Sequence, residues 1–517
     1  TLGSWAADPT GNGERGTHFV IESIEQRRRR RAVPADHGRV PLLEGVLAYQ
    51  RQGIVPFSTP GHKLGLGADE ELYETFGERA FLSDIPLGGG VGDTHFSGNA
   101  LGTAETLAAD AWDADRSFFL LNGSSAGNQA FLLAAVRPGD KVIVSRDMHM
   151  SLLVALILSG ADPIYLAPRL HPRLNVGLGI TADEVEAALE LHPDAKLVVL
   201  VSPSYCGVSS DLEGISAVAH GKGVPVYVDE AWGPHFHFHS ALPPSAMASN
   251  VDGAVASIHK VLGGLTQSAI LHVREGLIDP DRVRTTVRMV QTTSPSVLVL
   301  ASIDAARRQM ALHGEVLLER TITLAEDARR RLQALPGIDV FDADRLGVEA
   351  FDLTKLVIDV DGLGLSGYAV ENELRHRFGI GPEMSDHVGI VCLVTIGDTK
   401  TSIDRLVDAF TTLSREHYRG GGQRVHLRSS GTVVAPAELA MTPREAFFAP
   451  SRAIPLEEAG GEISSELVIP YPPGIPVLAP GETITADKLD YLRAGAAHGM
   501  YVSGPADAEL KTIRVVV

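Results

Sequence analysis

Between residues 105 and 275, short apolar runs alternate with longer stretches of mixed polarity. Ser117–Leu121, Lys141–Val144, Leu197–Val201, Val226–Val228, Ala254–Ala256 and Ala269–Val273 are apolar nearly throughout and too short for helices. Such runs are expected of strands buried on both faces. Between them, Thr181–Leu191 and Leu212–Gly221 carry helical spacing. Thr181 with Glu184 three residues on is a capping-box signature, which sets the start of the first of these helices. Alternating strand and helix predicts an α/β fold with a mainly parallel sheet, covered by helices on both sides.

Downstream, residues 296–334 read as one helix, with Arg308–Gln309 and Arg329–Arg331 on its polar face. A smaller α/β unit follows, with Lys355–Val360 and Gly389–Ile396 as strands and Tyr368–Phe378 as a helix between them. Arg419–Gln423, holding three consecutive glycines, is the expected linker. Pro and Gly predict loops at Thr59-Pro60-Gly61-His62-Lys63 and Gly88-Gly89-Gly90. The division expected from these shifts is an arm over 1–55, a large domain over 56–300, a smaller α/β domain over 301–420 and a further C-terminal domain over 421–517.

Composition narrows the field. A net charge of −19 and a pI near 5.4 argue against nucleic acid or an anionic membrane surface as partner. The run Arg27–Arg31 is then expected to be a solvated face rather than a docking patch. Cys206 and Cys392 are the only cysteines, which makes no disulfide framework and predicts a reducing compartment. The opening residues lack the apolar stretch of a signal peptide, and the longest apolar run, near Leu152–Leu158, is far too short to span a bilayer. A cytoplasmic protein is the expectation.

Four local features carry chemistry. Asn122-Gly123-Ser124-Ser125-Ala126-Gly127-Asn128 follows a predicted strand and opens a helix; free backbone N–H groups and hydroxyls at such a turn suit a phosphate. His149 follows the strand at Lys141–Val144, where an imidazole is placed to stack on a ring. Asp229 ends a strand, where a carboxylate faces the crevice in which α/β sheets bind ligands. Lys260 stands in Ser257-Ile258-His259-Lys260, followed by apolar residues and glycines, an unusual setting for a surface lysine and one that lowers its pKa. Each feature alone has an ordinary structural explanation. Phosphate loop, stacking histidine, acid and lysine, in this order and each at a strand end, are what a pyridoxal 5′-phosphate (PLP) site of fold type I requires. His235, His237 and His239 would share one face of an extended segment, but no completing ligand is spaced for a metal site, and none is expected.

From about Pro56 to Glu482 the chain resembles the Orn/Lys/Arg decarboxylases, the prokaryotic basic-amino-acid decarboxylases of PLP fold type I. The resemblance rests on Thr59–Lys63, Asn122–Ser125, Asp229-Glu230-Ala231-Trp232, Ser257–Lys260, Thr292-Thr293-Ser294-Pro295-Ser296, Tyr471-Pro472-Pro473-Gly474-Ile475-Pro476 and Pro480-Gly481-Glu482. It implies Lys260 as the Schiff-base lysine, Asp229 as the partner of the ring nitrogen and His149 as the stacking residue. Ser124, Ser125, Ala126, Ser257 and His259 are implied around the phosphate, with Trp232 near the phenolic oxygen. Thr293 and Ser294 match residues that reach the phosphate of a neighbouring subunit's cofactor. This makes a homodimer or higher homo-oligomer with shared sites the expectation. The family often has Lys directly after the stacking histidine, where this chain has Met150. About forty residues precede the core, too few for the wing domain of the large inducible members, which favours a dimer or tetramer.

The reaction so implied is decarboxylation of arginine, lysine or ornithine to its amine, with Lys260 or His259 supplying the proton at Cα. Glu383 and Asp386 are the candidates for a cationic side chain. Another PLP reaction on a basic amino acid (oxidative deamination, aminotransfer) and a catalytically silent homologue are the rivals.

Overall fold

The structure is a computed structural model. It describes residues 35–517 except 92–98, 175, 421–436, 471–473 and 498–499, with side chains at 89, 90 and 497 also left aside. The Arg27–Arg31 run, most of the expected linker and Tyr471-Pro472-Pro473 lie outside the described residues.

Seven strands form the central sheet: β1 (Arg116–Leu120), β2 (Lys141–Ser145), β3 (Asp162–Leu166), β4 (Leu197–Val201), β5 (Val226–Asp229), β6 (Gly253–Ser257) and β7 (Ala269–Val273), in the order β1-β7-β6-β5-β4-β2-β3. β7 runs against β6 and β1, and the other pairs are parallel, so six strands point one way. Six of the seven coincide with expected strands to within two residues at either end. β3 carries no continuous apolar run because Asp162 and Pro163 open it; as an edge strand pairing only with β2, it tolerates the proline.

β4 shows why the sheet is buried on both sides. Leu197, Val199 and Val201 enter one core with Phe131, Tyr227 and Val255, while Val198 and Leu200 enter the opposite core with Ile143, Val226 and Ala254. Each buried aliphatic side chain contributes about 1.5–3 kcal/mol, so a register slip of one residue would exchange the two faces without exposing a polar one. Gly127, in the helix Gly123–Ala135, marks a close approach to the sheet: a Cβ there would sit 2.5 Å from Val255 Cγ2 and 2.9 Å from Leu120 Cδ1.

The capping box at Thr181 is formed in both directions, with Glu184 N–H donating to Thr181 Oγ1 and Thr181 N–H to Glu184 Oε2. Val297–Gln333 is a single helix of 37 residues. The smaller unit is a four-stranded antiparallel sheet, β8 (Asp339–Phe341), β9 (Lys355–Asp359), β10 (Met384–Ser385) and β11 (Gly389–Leu393), in the order β10-β11-β9-β8. The C-terminal region has its own apolar core around Ile454, Val468, Leu478, Leu492 and Val515.

Two local expectations are corrected. Gly88–Gly90 is not a loop but part of a π-helical turn over Leu87–Val91. Val91 is fully buried against Gly45 of the helix Pro41–Arg51, and that contact holds the turn. His235–His239 is not extended either. Phe236–Phe238 forms a 3-10 turn, and the three imidazoles diverge, to Asp352 at 3.2 Å, Ser245 at 3.3 Å and Glu319 at 3.0 Å. Burial of Phe236 rotates the segment out of the strand geometry that would have aligned them.

Candidate active site

Chemistry-bearing residues collect where the parallel strands end. Asn122–Ser125 follows β1, His149 follows β2, Asp229 closes β5, and Ser257 closes β6 and leads into Ile258–Val261, the turn of helix that carries Lys260. All of them line one cavity of about 280 Å³ with Ser151, Tyr205, Ala231, Trp232, His259, Thr266 and Gln267. This is the edge at which α/β sheets bind ligands.

The phosphate-type turn is formed. Gly123 has φ +66°, a left-handed conformation that glycine adopts without strain, and it opens the helix Gly123–Ala135. Ser124 Oγ lies 2.7 Å from Ser257 Oγ, joining the turn to the end of β6. Ala126 belongs to the same first turn of the helix but is buried and does not line the cavity. His259 Nδ1 faces the carbonyl oxygen of Ser268 at 2.9 Å. A carbonyl only accepts, so Nδ1 carries the proton and Nε2 is left for other partners. Burial holds this imidazole below its ordinary pKa.

Asp229 is almost fully buried. Its Oδ2 accepts from Asn128 Nδ2 at 2.8 Å and its Oδ1 from the Ala231 N–H at 3.1 Å. Tyr227 OH donates to Asn128 Oδ1 at 2.8 Å, which fixes the amide so that its NH₂ meets both Asp229 and Ser151. Ser151 Oγ therefore accepts from Asn128, and its own proton is directed at His149 Nδ1, 2.8 Å away. The Ser151 N–H also donates to Nδ1. His149 is thereby held as the neutral tautomer protonated on Nε2. Burial lowers its pKa in the same direction, opposed by Asp229 and reinforced by Lys260. The Tyr227–Asn128–Ser151 relay was not read from the sequence. Asn128 sat within the phosphate-loop motif, but only its contact partners show that its amide serves the carboxylate.

Lys260 Nζ rests over the Trp232 ring, 3.8 Å from its centroid. Burial lowers its pKa, against the pull of Asp229 and Glu383. A second lysine shares the same ring: Lys355 Nζ lies 3.7 Å from the centroid, fully buried and without a hydrogen-bond partner among the described residues. Burial brings Lys355 down to about 8, opposed by Asp352. Sequence reasoning placed Lys355 only as the first residue of a strand, and nothing in its flanks marks it as buried.

The two acidic candidates part ways. Glu383 is exposed at the surface, though its carboxyl lies deep enough for burial to raise its pKa, and it interacts electrostatically with both Lys355 and Lys260. It does not line the Lys260 cavity but a neighbouring one, with Arg405 and Asp398. Asp386 is committed to a turn, accepting from the Val388 and Gly389 N–H groups at 2.8 Å each. Thr293 and Ser294 are exposed and outside the cavity of their own chain. Among the described residues no cluster of His, Cys, Asp or Glu is arranged to hold a metal ion, and no helix is long and apolar enough to cross a membrane.

Sheet order and cavity together define an α/β protein of the PLP-dependent transferase fold type I. The overall fold matches that of the constitutive lysine decarboxylase of E. coli with a TM-score of 0.78 at 22% identity, covering 93% of this chain and 82% of that one. It also matches an alanine–glyoxylate aminotransferase from Nostoc with a TM-score of 0.51 at 19% identity, covering 70% and 98%. The family model described as Orn/Lys/Arg decarboxylase, major domain, matches residues 40–402, and its C-terminal domain matches residues 429–504. The chain belongs to the Orn/Lys/Arg decarboxylase family. It is 42% identical over 479 residues to the arginine decarboxylase of Bacillus subtilis (strain 168), covering 92% of this chain and 97% of that protein. It is 41% identical over 483 residues to the arginine decarboxylase of Halalkalibacterium halodurans, covering 92% and 98%. The chain is accordingly an enzyme that decarboxylates a basic amino acid.

Proposed function

We propose that this enzyme is a PLP-dependent arginine decarboxylase. The observation that carries the reading is the meeting of Lys260, Asp229, His149 and the Gly123–Ser125 turn in one cavity. The donor set fits PLP: a helix N-terminus flanked by Ser124, Ser125, Ser257 and His259 for the phosphate, and an aspartate with lone pairs left after Asn128 and Ala231. The indole N–H of Trp232, buried and without a partner among the described residues, is available to the phenolic oxygen.

When bound, PLP supplies an electron sink for the carbanion left by loss of CO2. The chain's residues do the rest. Lys260 is the covalent attachment point. Asp229, braced by Asn128, holds a proton on the ring nitrogen. His149, kept neutral and oriented by Ser151, offers a flat uncharged ring to stack. His259 has Nδ1 committed to Ser268, so Nε2 is its phosphate-facing atom. Lys260, whose pKa burial lowers so that the amine can both take up and release a proton, is then the carrier of the proton delivered at Cα.

The neighbouring Glu383 is the better recipient for a cationic side chain, because it interacts electrostatically with Lys260 and Lys355, whereas Asp386 Oδ1 is held by two backbone N–H groups. Arginine is favoured over lysine and ornithine by the names of relatives at about 40% identity. Thr293 and Ser294, exposed on their own chain, serve the phosphate of a partner's site, which makes a homodimer the smallest active unit. Two buried free cysteines suit a reducing cytoplasm. The test is incubation of the PLP-loaded enzyme with arginine, lysine and ornithine, with both products identified. Stoichiometric CO2 and agmatine from arginine, faster than from the other two, is the expected result; a keto acid with ammonia, or turnover of lysine alone, overturns the reading.

A further inference from the structure

The turn that carries His149 is gripped from the far end of the chain. Arg146, three residues before His149, is wholly buried. Its Nε donates to Glu482 Oε1 at 2.9 Å and its Nη2 to Glu482 Oε2 at 3.0 Å, the two-pronged geometry that fixes a guanidinium in orientation as well as position. The same guanidinium donates to the carbonyl oxygens of Pro476 at 2.6 Å and Val477 at 3.3 Å, and stands over the Tyr165 ring. One residue past His149, the Met150 N–H donates to the Gly474 carbonyl at 3.2 Å. Both ends of the segment 146–150 are thus tied to residues 474–482. Between the ties, Asp147 is held by Ser145 and His149 caps the helix Met150–Ser159 through the Ser151 N–H. Glu482 is held in turn at Oε2 by the Ala479 N–H at 3.1 Å and by Lys488 Nζ at 2.8 Å.

We infer that Glu482, through Arg146, is a positioning residue for His149: the C-terminal region sets the imidazole at the cavity, and breaking the Arg146–Glu482 pair displaces it. This rests on the reading that His149 stacks on PLP. Folding alone would not need the tie at this place, since the Gly123–Ala135 and Met150–Ser159 helices already pack on each other and the C-terminal core is apolar without it.

The test compares three variants of the full chain, reading the PLP dissociation constant and the visible circular dichroism of the bound cofactor as well as kcat. Arg146→Met releases the turn but leaves Glu482 paired with Lys488, so no buried carboxylate is orphaned. Lys488→Met removes the outer cation and leaves the Arg146–Glu482 pair intact. His149→Ala reports what loss of the imidazole itself does. Arg146→Met is expected to reproduce most of the His149→Ala effect, weakening PLP by at least about tenfold and altering the dichroism, because small displacements of positioned groups are costly. Lys488→Met should leave both near wild type, with only thermal stability reduced. If Arg146→Met does not fold, Arg146→Lys, which keeps the charge and loses the fork, carries the comparison and should show a weaker form of the same change. The inference is overturned if His149→Ala weakens PLP while the Arg146 variant does not, or if Lys488→Met disturbs the cofactor as much as the Arg146 variant. If His149→Ala itself leaves PLP binding and dichroism unchanged, the stacking reading and this inference fall together.

Discussion

Two groups of buried charges lie a short distance apart in this enzyme, and they are handled in opposite ways. Around the cavity, Lys260 and Lys355 rest on the Trp232 ring, Lys355 without a hydrogen-bond acceptor among the described residues. Behind the His149 turn, Arg146 and Lys488 both donate to Glu482, Arg146 also donates to the Pro476 and Val477 carbonyls, and the Ala479 N–H meets Glu482. A buried charge held by an opposite charge holds structure in place; removing one partner leaves an uncompensated ion and costs roughly 3–5 kcal/mol. A buried lysine without acceptors is driven toward its neutral amine, which is the form that attacks a carbonyl. Nothing in the sequence flanking these residues sorts them into the two groups, and only their partners separate them.

Substitutions on the two sides should diverge. The largest effect is expected at Asp229→Asn. An Asn there keeps one acceptor oxygen, for either Asn128 or the Ala231 N–H, and turns an NH2 toward the other donor, so some stability is lost while the site keeps its shape. Loss of the negative charge beside the ring nitrogen should cut kcat by well over tenfold, each tenfold corresponding to about 1.4 kcal/mol of barrier. Steady-state kinetics with cofactor content measured in parallel checks this, and near-normal turnover would remove Asp229 from the role. A smaller effect, of opposite sign in stability, is expected at Lys355→Met. Because the folded-state pKa is depressed from 10.5 to about 8, burial of the ammonium opposes folding fully below pH 8, and the penalty fades as pH rises toward 10.5. The Met variant should therefore be more stable than wild type at pH 7 by up to about 3 kcal/mol, with the gap closing above pH 8. Denaturant titrations across pH 7–10 measure it; a destabilised Met variant would place Lys355 with the structural group instead.

How much of this was legible in the chain follows from how local each signal is. Strands such as Leu197–Val201 and the Thr181 capping box are written in adjacent residues and came through with little shift. The order of Asn122–Ser125, His149, Asp229 and Lys260 was enough to assemble the cavity, because each sits at a strand end and the sheet brings those ends together. What escaped depends on contacts between distant residues. Arg146 and Glu482 are 336 positions apart, and Tyr227 reaches Asn128 across 99. Lys355 follows Asp352 and Thr354 and begins a strand, which reads as a surface edge until the Trp232 ring is packed on it. The histidine triplet misled for the converse reason: its spacing implied a shared face only while the segment was taken as extended.

The central claim is that, of two lysines against one tryptophan, Lys260 carries the cofactor. Reduction of the PLP-loaded enzyme with borohydride fixes the attachment irreversibly, and proteolysis with mass mapping locates it. The label is expected on Lys260, in the segment Ser257–Leu262, and is expected to be absent from the Lys260→Ala variant. A label on Lys355, or covalent attachment that persists in Lys260→Ala, would contradict it.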